Sequence, residues 1–250
     1  MKMLVDAHCH LDFPQFDADR DQVVERAKDI RIVNSTVDPD LVGKGLSLQE
    51  RYDNVSCTLG FSASDLDEGR FRRMVALIRA NSDRIAGLGE AGLDYYWVKD
   101  EKGRALEKAH FLELALLSRE LGLPLIVHSR DAEEECIIML EELKLRAMLH
   151  CFSGTIEQAR RAIGFGCLIS VPANVSEVKS RQRLAQALPL ESLVLETDAP
   201  YLSPRRGERS EPAYVRQAAE KIAELKGVSA GQVEETTTEN AMGFFRIKRW

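Results

Sequence analysis

The stretch LVDAHCHLD, residues 4–12, sets two of the chain's five histidines one residue apart, directly after its first apolar run. A strand explains that spacing, because alternate side chains share a face: His8 and His10 point one way and Cys9 the other. Two imidazoles held side by side by a stiff backbone form half of a metal site. A polar turn at a strand end has the same local sequence, so the rest of the chain must separate the two readings. The stretch also contains no glycine, whereas the first strand-to-helix turn of a doubly wound nucleotide-binding sheet is glycine-rich.

Downstream, short apolar runs recur, each followed by a helical pattern. Strands are predicted at 3–7, 31–36, 55–60, 85–90, 124–128, 147–150, 167–171 and 193–197. Runs such as PLIVH and LVLET are continuously apolar, as strands covered on both faces require. Asp38-Pro39 predicts a helix cap followed by proline at the first helical position. Asp131 with Glu134, Thr155 with Gln158 and Ser229 with Gln232 have capping-box spacing. Within 105–121, Phe111, Leu114, Ala115, Leu117 and Leu121 recur at helical spacing, closed by Gly122 and Pro124. Two more helical patterns, 212–225 and 230–245, follow the last strand. Strand alternating with helix eight times in 250 residues predicts an α/β fold, a (β/α)8 TIM-type barrel. It is expected as one domain over residues 1–250 with extra C-terminal helices. A doubly wound open sheet is the alternative, but it usually carries fewer strands.

Composition is ordinary for a soluble globular protein, with 44% hydrophobic and 30% charged residues, enough for one sizeable core. The start MKMLVDAHCH has a short apolar run broken by Asp6 and does not resemble a signal peptide. No apolar run approaches the roughly 20 residues that span a bilayer. Five scattered cysteines without a C-x-x-C pair suggest reduced thiols and a cytoplasmic location. A net charge of −6 argues against wrapping duplex nucleic acid, and leaves room for a locally basic mouth. Neither a membrane nor an obligate protein partner is expected.

The predicted strand ends carry the chemistry. The first ends at His8 and His10, the fourth at Glu90, the fifth at His128, the sixth at His150 and the eighth at Asp198. In barrels of this type that rim is where active sites are built. Four imidazoles and two carboxylates exceed one tetrahedral ion and suit two ions sharing a carboxylate, with positions open for water and substrate. A structural zinc would instead ask for a closed, thiolate-rich set. His110 falls in a helical pattern and is read as a helix-flank residue. Cys9 and Cys151 neighbour the ligand candidates, and strand alternation is expected to turn both away.

The stretches DAHCHLD, GLGEAGLDYYW, LPLIVHSRDA, LHCFSGT, LETDAPYLSP and RGERSEPAYV, in that order over residues 6 to about 215, resemble the TatD family of metal-dependent hydrolases within the amidohydrolase-like barrels. The resemblance implies a two-metal phosphodiesterase, typically a deoxyribonuclease. His8, His10 and Asp198 would hold one metal and His128 and His150 the other, with Glu90 as bridge. Where the family often has PxPHRGKRNEP, this chain has LSPRRGERSEP, so Arg205 replaces a histidine and Ser210 an asparagine.

A divalent ion lowers the pKa of bound water from about 15.7 towards 7. Asp198 is then the candidate acceptor of the attacking water's proton, or purely a ligand. Glu90 and Asp198 are the catalytic candidates; Arg130 and Arg206 are the candidates for substrate contact, since a guanidinium fork fits phosphate oxygens. Asp94 and Asp131 are candidates to orient imidazoles or to cap helices. The expected substrate is a single-stranded or frayed DNA end or another phosphodiester, cut with the help of two ions (Zn, Mn, Mg, Ni or Co). The alternatives are hydrolysis of an ester, lactone or aminoacyl-tRNA ester, and a non-catalytic metal-binding protein.

Overall fold

The computed structural model describes residues 4–247, so Met3 of the first predicted strand lies outside the described residues. Among these, eight parallel strands pair in sequence order. They are β1 (Leu4–Cys9), β2 (Ile30–Thr36), β3 (Val55–Leu59), β4 (Gly87–Asp94), β5 (Leu125–Arg130), β6 (Ala147–Leu149), β7 (Leu168–Pro172) and β8 (Leu193–Glu196). The sheet curls round until its ends meet. Just past β8, the Asp198 N–H donates to His8 O at 2.9 Å, and the His10 N–H donates to Ala199 O at 2.7 Å. The result is a TIM-type (β/α)8 barrel. β1, β2 and β8 are buried along their whole length, which is why apolar runs, and not strict alternation, mark them in the sequence.

Seven helices follow the first seven strands: α1 (Arg20–Arg26), α2 (Val42–Arg51), α3 (Glu68–Ala80), α4 (Glu101–Leu121), α5 (Glu133–Glu142), α6 (Ile156–Gly164) and α7 (Lys179–Ala187). Their apolar sides pack outside the strands through residues such as Phe71, Met74, Phe111 and Leu140; each such side chain, fully buried, contributes about 1.5–3 kcal/mol. After β8 come α8 (Val215–Lys226) and α9 (Ala230–Phe244). A smaller apolar cluster inside the barrel joins Val5, Ala7, Val33, Ile126, Met148 and Val194 to Ala241 and Phe245 at the end of α9. The Arg246 N–H donates to Ala86 O, immediately before β4. The C-terminal helix therefore plugs the barrel at the N-terminal ends of the strands and leaves the opposite rim open. No helix of the described residues is long and apolar enough to cross a membrane.

Local signals hold where the side chain reaches its own helix. Thr155 and Ser229 form complete capping boxes on α6 and α9. Gly122 ends α4 at φ 60°, and the Asp100 side chain caps its start. Two predicted caps do not form. Asp38-Pro39 lies in a turn, where the Asp38 carboxylate accepts from the Asp40 N–H, and α2 starts later at Val42 without a side-chain cap. Asp131 sits at φ 55°, one residue too early, and α5 takes Ala132 as its uncapped N-cap.

Candidate metal centre

Backbone irregularities aim the candidate ligands. Strict alternation from Val5 and Ala7, which face the barrel interior, would send Cys9 inward and both histidines outward. The β1–β2 register shifts between Asp6 and Cys9, and this bulge exchanges the faces. Cys9 joins the outer core, while His8 and His10 turn in together, their Nε2 atoms 3.3 Å apart. The β4–β5 register shifts between Leu88 and Ala91, around Glu90. Here Gly89 and Gly92 adopt φ 147° and 153°, and a Cβ on Gly92 would stand 1.9 Å from His128 O. The glycines of GLGEAGLD thus let β4 carry Glu90 inward while lying close against β5. Asp198 follows β8 in the left-handed region at φ 52°, which asparagine and aspartate tolerate best among side chains larger than glycine.

Glu90 lies at the middle of the cluster. Its Oε1 is 3.2 Å from both His8 Nε2 and His10 Nε2. Its Oε2 is 3.2 Å from His128 Nδ1 and 3.6 Å from His150 Nε2. Asp198 Oδ1 lies 3.5 Å from His10 Nε2 and 3.8 Å from His8 Nε2. Two donor groups are compact, with ligand atoms within 4.8 Å of one another: His8, His10 and Asp198, and His8, Glu90 and His150. His128 approaches Glu90 and stands outside both groups, so the second predicted set is looser than the first.

A further ring of acceptors fixes the imidazoles. Ser35 O lies 2.8 Å from His10 Nδ1, Asp94 Oδ2 3.1 Å from His128 Nε2, and Glu196 Oε2 3.1 Å from His150 Nδ1. Of these, Asp94 is among the predicted orienting residues, and its other oxygen accepts from the backbone of Tyr96 and Trp97. Glu196 is absent from the sequence reading. The available signal is a carboxylate inside the apolar run LVLET, since a buried charge requires a partner.

Burial would raise the pKa of Glu90, yet the surrounding imidazoles hold it well below the ordinary carboxylate value. Asp198 is lowered against burial in the same way, first by His10. Burial opposes protonation of His10, His128 and His150, but the carboxylates outweigh it and raise all three, His128 to about 10. His8 is lowered by burial and by His150. Ionised carboxylates thus collect positive charge between nitrogen donors, and divalent cations would replace those protons. The N/O donor set fits metal ions of the zinc, manganese, nickel or cobalt kind better than a thiolate site.

A cleft of about 660 Å³ opens over the cluster, lined by His10, Glu90, His128, His150 and Asp198 together with Phe13, Trp97, Arg130, Asp131, Cys151, Arg181 and Tyr201. Arg130 reaches it, with its guanidinium 3.7 Å from the Tyr96 ring centre. Arg206 is exposed and does not line the cleft. Its neighbours instead brace the loop. Arg209 holds Asp19 through two hydrogen bonds of 2.9 and 2.7 Å, and Arg26 on α1 holds Glu211 at 2.6 Å. Ser210 is fully buried, its Oγ without a partner. Neither altered position of this loop, Arg205 or Ser210, lines the cleft. Arg181, which sequence reasoning passed over, comes in from α7 and is held by Asn174 and by Cys151 Sγ, 3.2 Å from its Nη2. Cys151 is also a correction. It lies past the end of β6 at φ 47°, so strand alternation does not govern it, and it faces the cleft. His110 is remote: it stacks on Phe71 at 3.8 Å and lies 2.9 Å from Glu68 Oε2.

Residues 5–246 match the family described as TatD related DNase. The chain is 34% identical to an uncharacterized metal-dependent hydrolase of Bacillus subtilis, YabD, over 98% of this chain and 100% of that protein. It is 33% identical to the deoxyribonuclease TATDN3 of Homo sapiens, over 97% of this chain and 94% of that protein. The solved TatD homologue YjjV of Escherichia coli shares the fold with a TM-score of 0.88, covering 98% of both chains at 24% identity. The clustered histidine and carboxylate donors and the match along nearly the whole chain meet in one conclusion: this protein belongs to the TatD family of metal-dependent hydrolases.

Proposed function

We propose that the protein hydrolyses phosphodiester bonds at single-stranded or frayed DNA ends, using two divalent ions held by His8, His10, Glu90, His128, His150 and Asp198. The observation that carries this reading is the division of Glu90: one carboxylate oxygen faces His8 and His10, the other His128 and His150. When bound, such ions acidify water and neutralise charge on the ester oxygens. The chain's own groups do the rest. Asp198, at the cleft edge, accepts the proton of the attacking water at its carboxylate. Arg130 and Arg181 donate N–H groups to phosphate oxygens and orient the strand. Asp94 and Glu196 keep the imidazoles of His128 and His150 aligned. The relative from Homo sapiens is itself named a deoxyribonuclease, which supports DNA as substrate.

Glu90→Ala tests the reading. Metal-stripped protein is reloaded with each divalent ion, and bound metal and cleavage of end-labelled DNA, lactones and aminoacyl esters are measured. Loss of turnover with a lowered metal stoichiometry in a folded barrel is expected. Full activity with two bound ions refutes the bridging role. Strong lactone or ester hydrolysis without phosphodiester cleavage moves the substrate class away from DNA.

A further inference from the structure

Trp97 is 64% exposed, more than any other large hydrophobic side chain of the described residues, yet its backbone is fixed. The Asp94 Oδ1 accepts from the N–H groups of Tyr96 (3.0 Å) and Trp97 (3.1 Å), while Oδ2 lies 3.1 Å from His128 Nε2. One carboxylate thus ties the turn that presents the indole to an imidazole of the metal centre. The Trp97 ring meets Tyr96 edge-on at 4.9 Å, and the Arg130 guanidinium covers Tyr96 at 3.7 Å. Tyr96 is therefore occupied by a cation, and Trp97 is left open on the wall of the cleft that Arg130 also lines. An anchored indole beside a guanidinium suits a ligand that joins a flat apolar ring to an anion. A nucleobase attached to its phosphate has that form.

We propose that Trp97 is a base-stacking residue, receiving the nucleobase that flanks the phosphodiester under attack. The assignment rests on the phosphodiesterase reading and adds a contact that tells a nucleic acid strand from a simple phosphate diester. Two oligonucleotides serve as probes, one with normal bases and one abasic at its two terminal positions. The wild-type KM should be about tenfold lower for the base-bearing strand, the order expected for one stacked base. Trp97→Ala should remove this preference without changing bound metal, and Trp97→Phe should retain most of it. Binding is read separately in metal-stripped protein carrying Trp250→Phe, which leaves Trp97 as the sole tryptophan. There the base-bearing strand should quench the fluorescence and the abasic strand should not. A wild type without preference, a Trp97→Ala enzyme that keeps it, or equal quenching by both strands overturns the proposal. Selective quenching without cleavage of any phosphodiester leaves the stacking role standing and removes the phosphodiesterase reading instead.

Discussion

Glu196→Gln tests whether the acceptors behind the imidazoles tune the metal centre. Glu196 is fully buried, with Oε2 3.1 Å from His150 Nδ1 and Oε1 without a hydrogen-bond partner. Burial alone lowers the His150 pKa, and the charges of Glu196 and Glu90 more than reverse it. A more basic imidazole binds metal more tightly, and salt screens a buried pair little. Glutamine keeps the shape and an acceptor for Nδ1–H but removes the charge. We predict about tenfold weaker binding at the site containing His150, roughly 1.4 kcal/mol, and about 100-fold for Glu196→Ala, which strips the partner altogether. Chelator competition on the reloaded protein should become biphasic, because the group of His8, His10 and Asp198 does not include His150. The metal-stripped protein gives a second reading. A histidine with a raised folded pKa adds stability that is fully present below its unfolded value near 6.5, and that is lost as pH rises through the folded value. The variant should therefore be less stable than wild type at pH 5.5, and the gap should close at higher pH. Wild-type affinity at both sites with an unchanged pH profile refutes the reasoning.

Three further substitutions separate structural from substrate-binding charge. Burial pushes the Glu107 carboxyl from 4.5 to about 7, so folding favours its protonated form, and the associated loss of stability develops as pH rises from about 4.5 to 7. Over that shift of about 2.5 units the loss is at most roughly 3 kcal/mol. Denaturation of metal-stripped Glu107→Gln at pH 5 and 8 should show this component missing, and a pH dependence equal to wild type contradicts it. Arg181→Ala should raise the KM for an oligonucleotide about tenfold, as loss of a hydrogen bond to a charged group does, with bound metal unchanged. Arg206→Ala should leave KM within about twofold of wild type, the behaviour of a solvated surface residue; the reverse ranking places substrate recognition back in the exposed loop.

The barrel is legible in the sequence because its strands are buried on both faces and its helices only on one, so two periodicities alternate visibly. The predicted boundaries fail most at β4, which continues to Asp94 where GLD looks like a turn. Gly89 and Gly92 supply the positive φ angles that carry the strand past Glu90, and glycine in a sequence signals a bend and a bulge equally well. The six donors are legible because each closes an apolar run. Why His8 and His10 face inward is not, since that depends on a register shift against β2 that no local pattern encodes.

Charge is the least legible feature, and the reason is partnership. Arg206 and Arg209 stand in one motif, and only the fold shows Arg209 spent on Asp19 and Arg206 in solvent. Arg181 stands in KSRQR, a helix segment in which its neighbour Arg183 is exposed, so nothing local marks it. What distinguishes Arg181 is that Asn174 and Cys151, neither a carboxylate, hold it against the cleft wall. Among the described residues neither Arg181 nor Arg130, which lies over Tyr96, forms an ion pair with a carboxylate. A chain of net charge −6 that binds a polyanion must concentrate its attraction in such positions and in its ions. The salt dependence of DNA binding should accordingly be shallow, with a slope corresponding to about two phosphate contacts. A steep slope measured on the metal-loaded protein would require a basic surface beyond Arg130 and Arg181, and would refute a cleft that recognises only the strand's end.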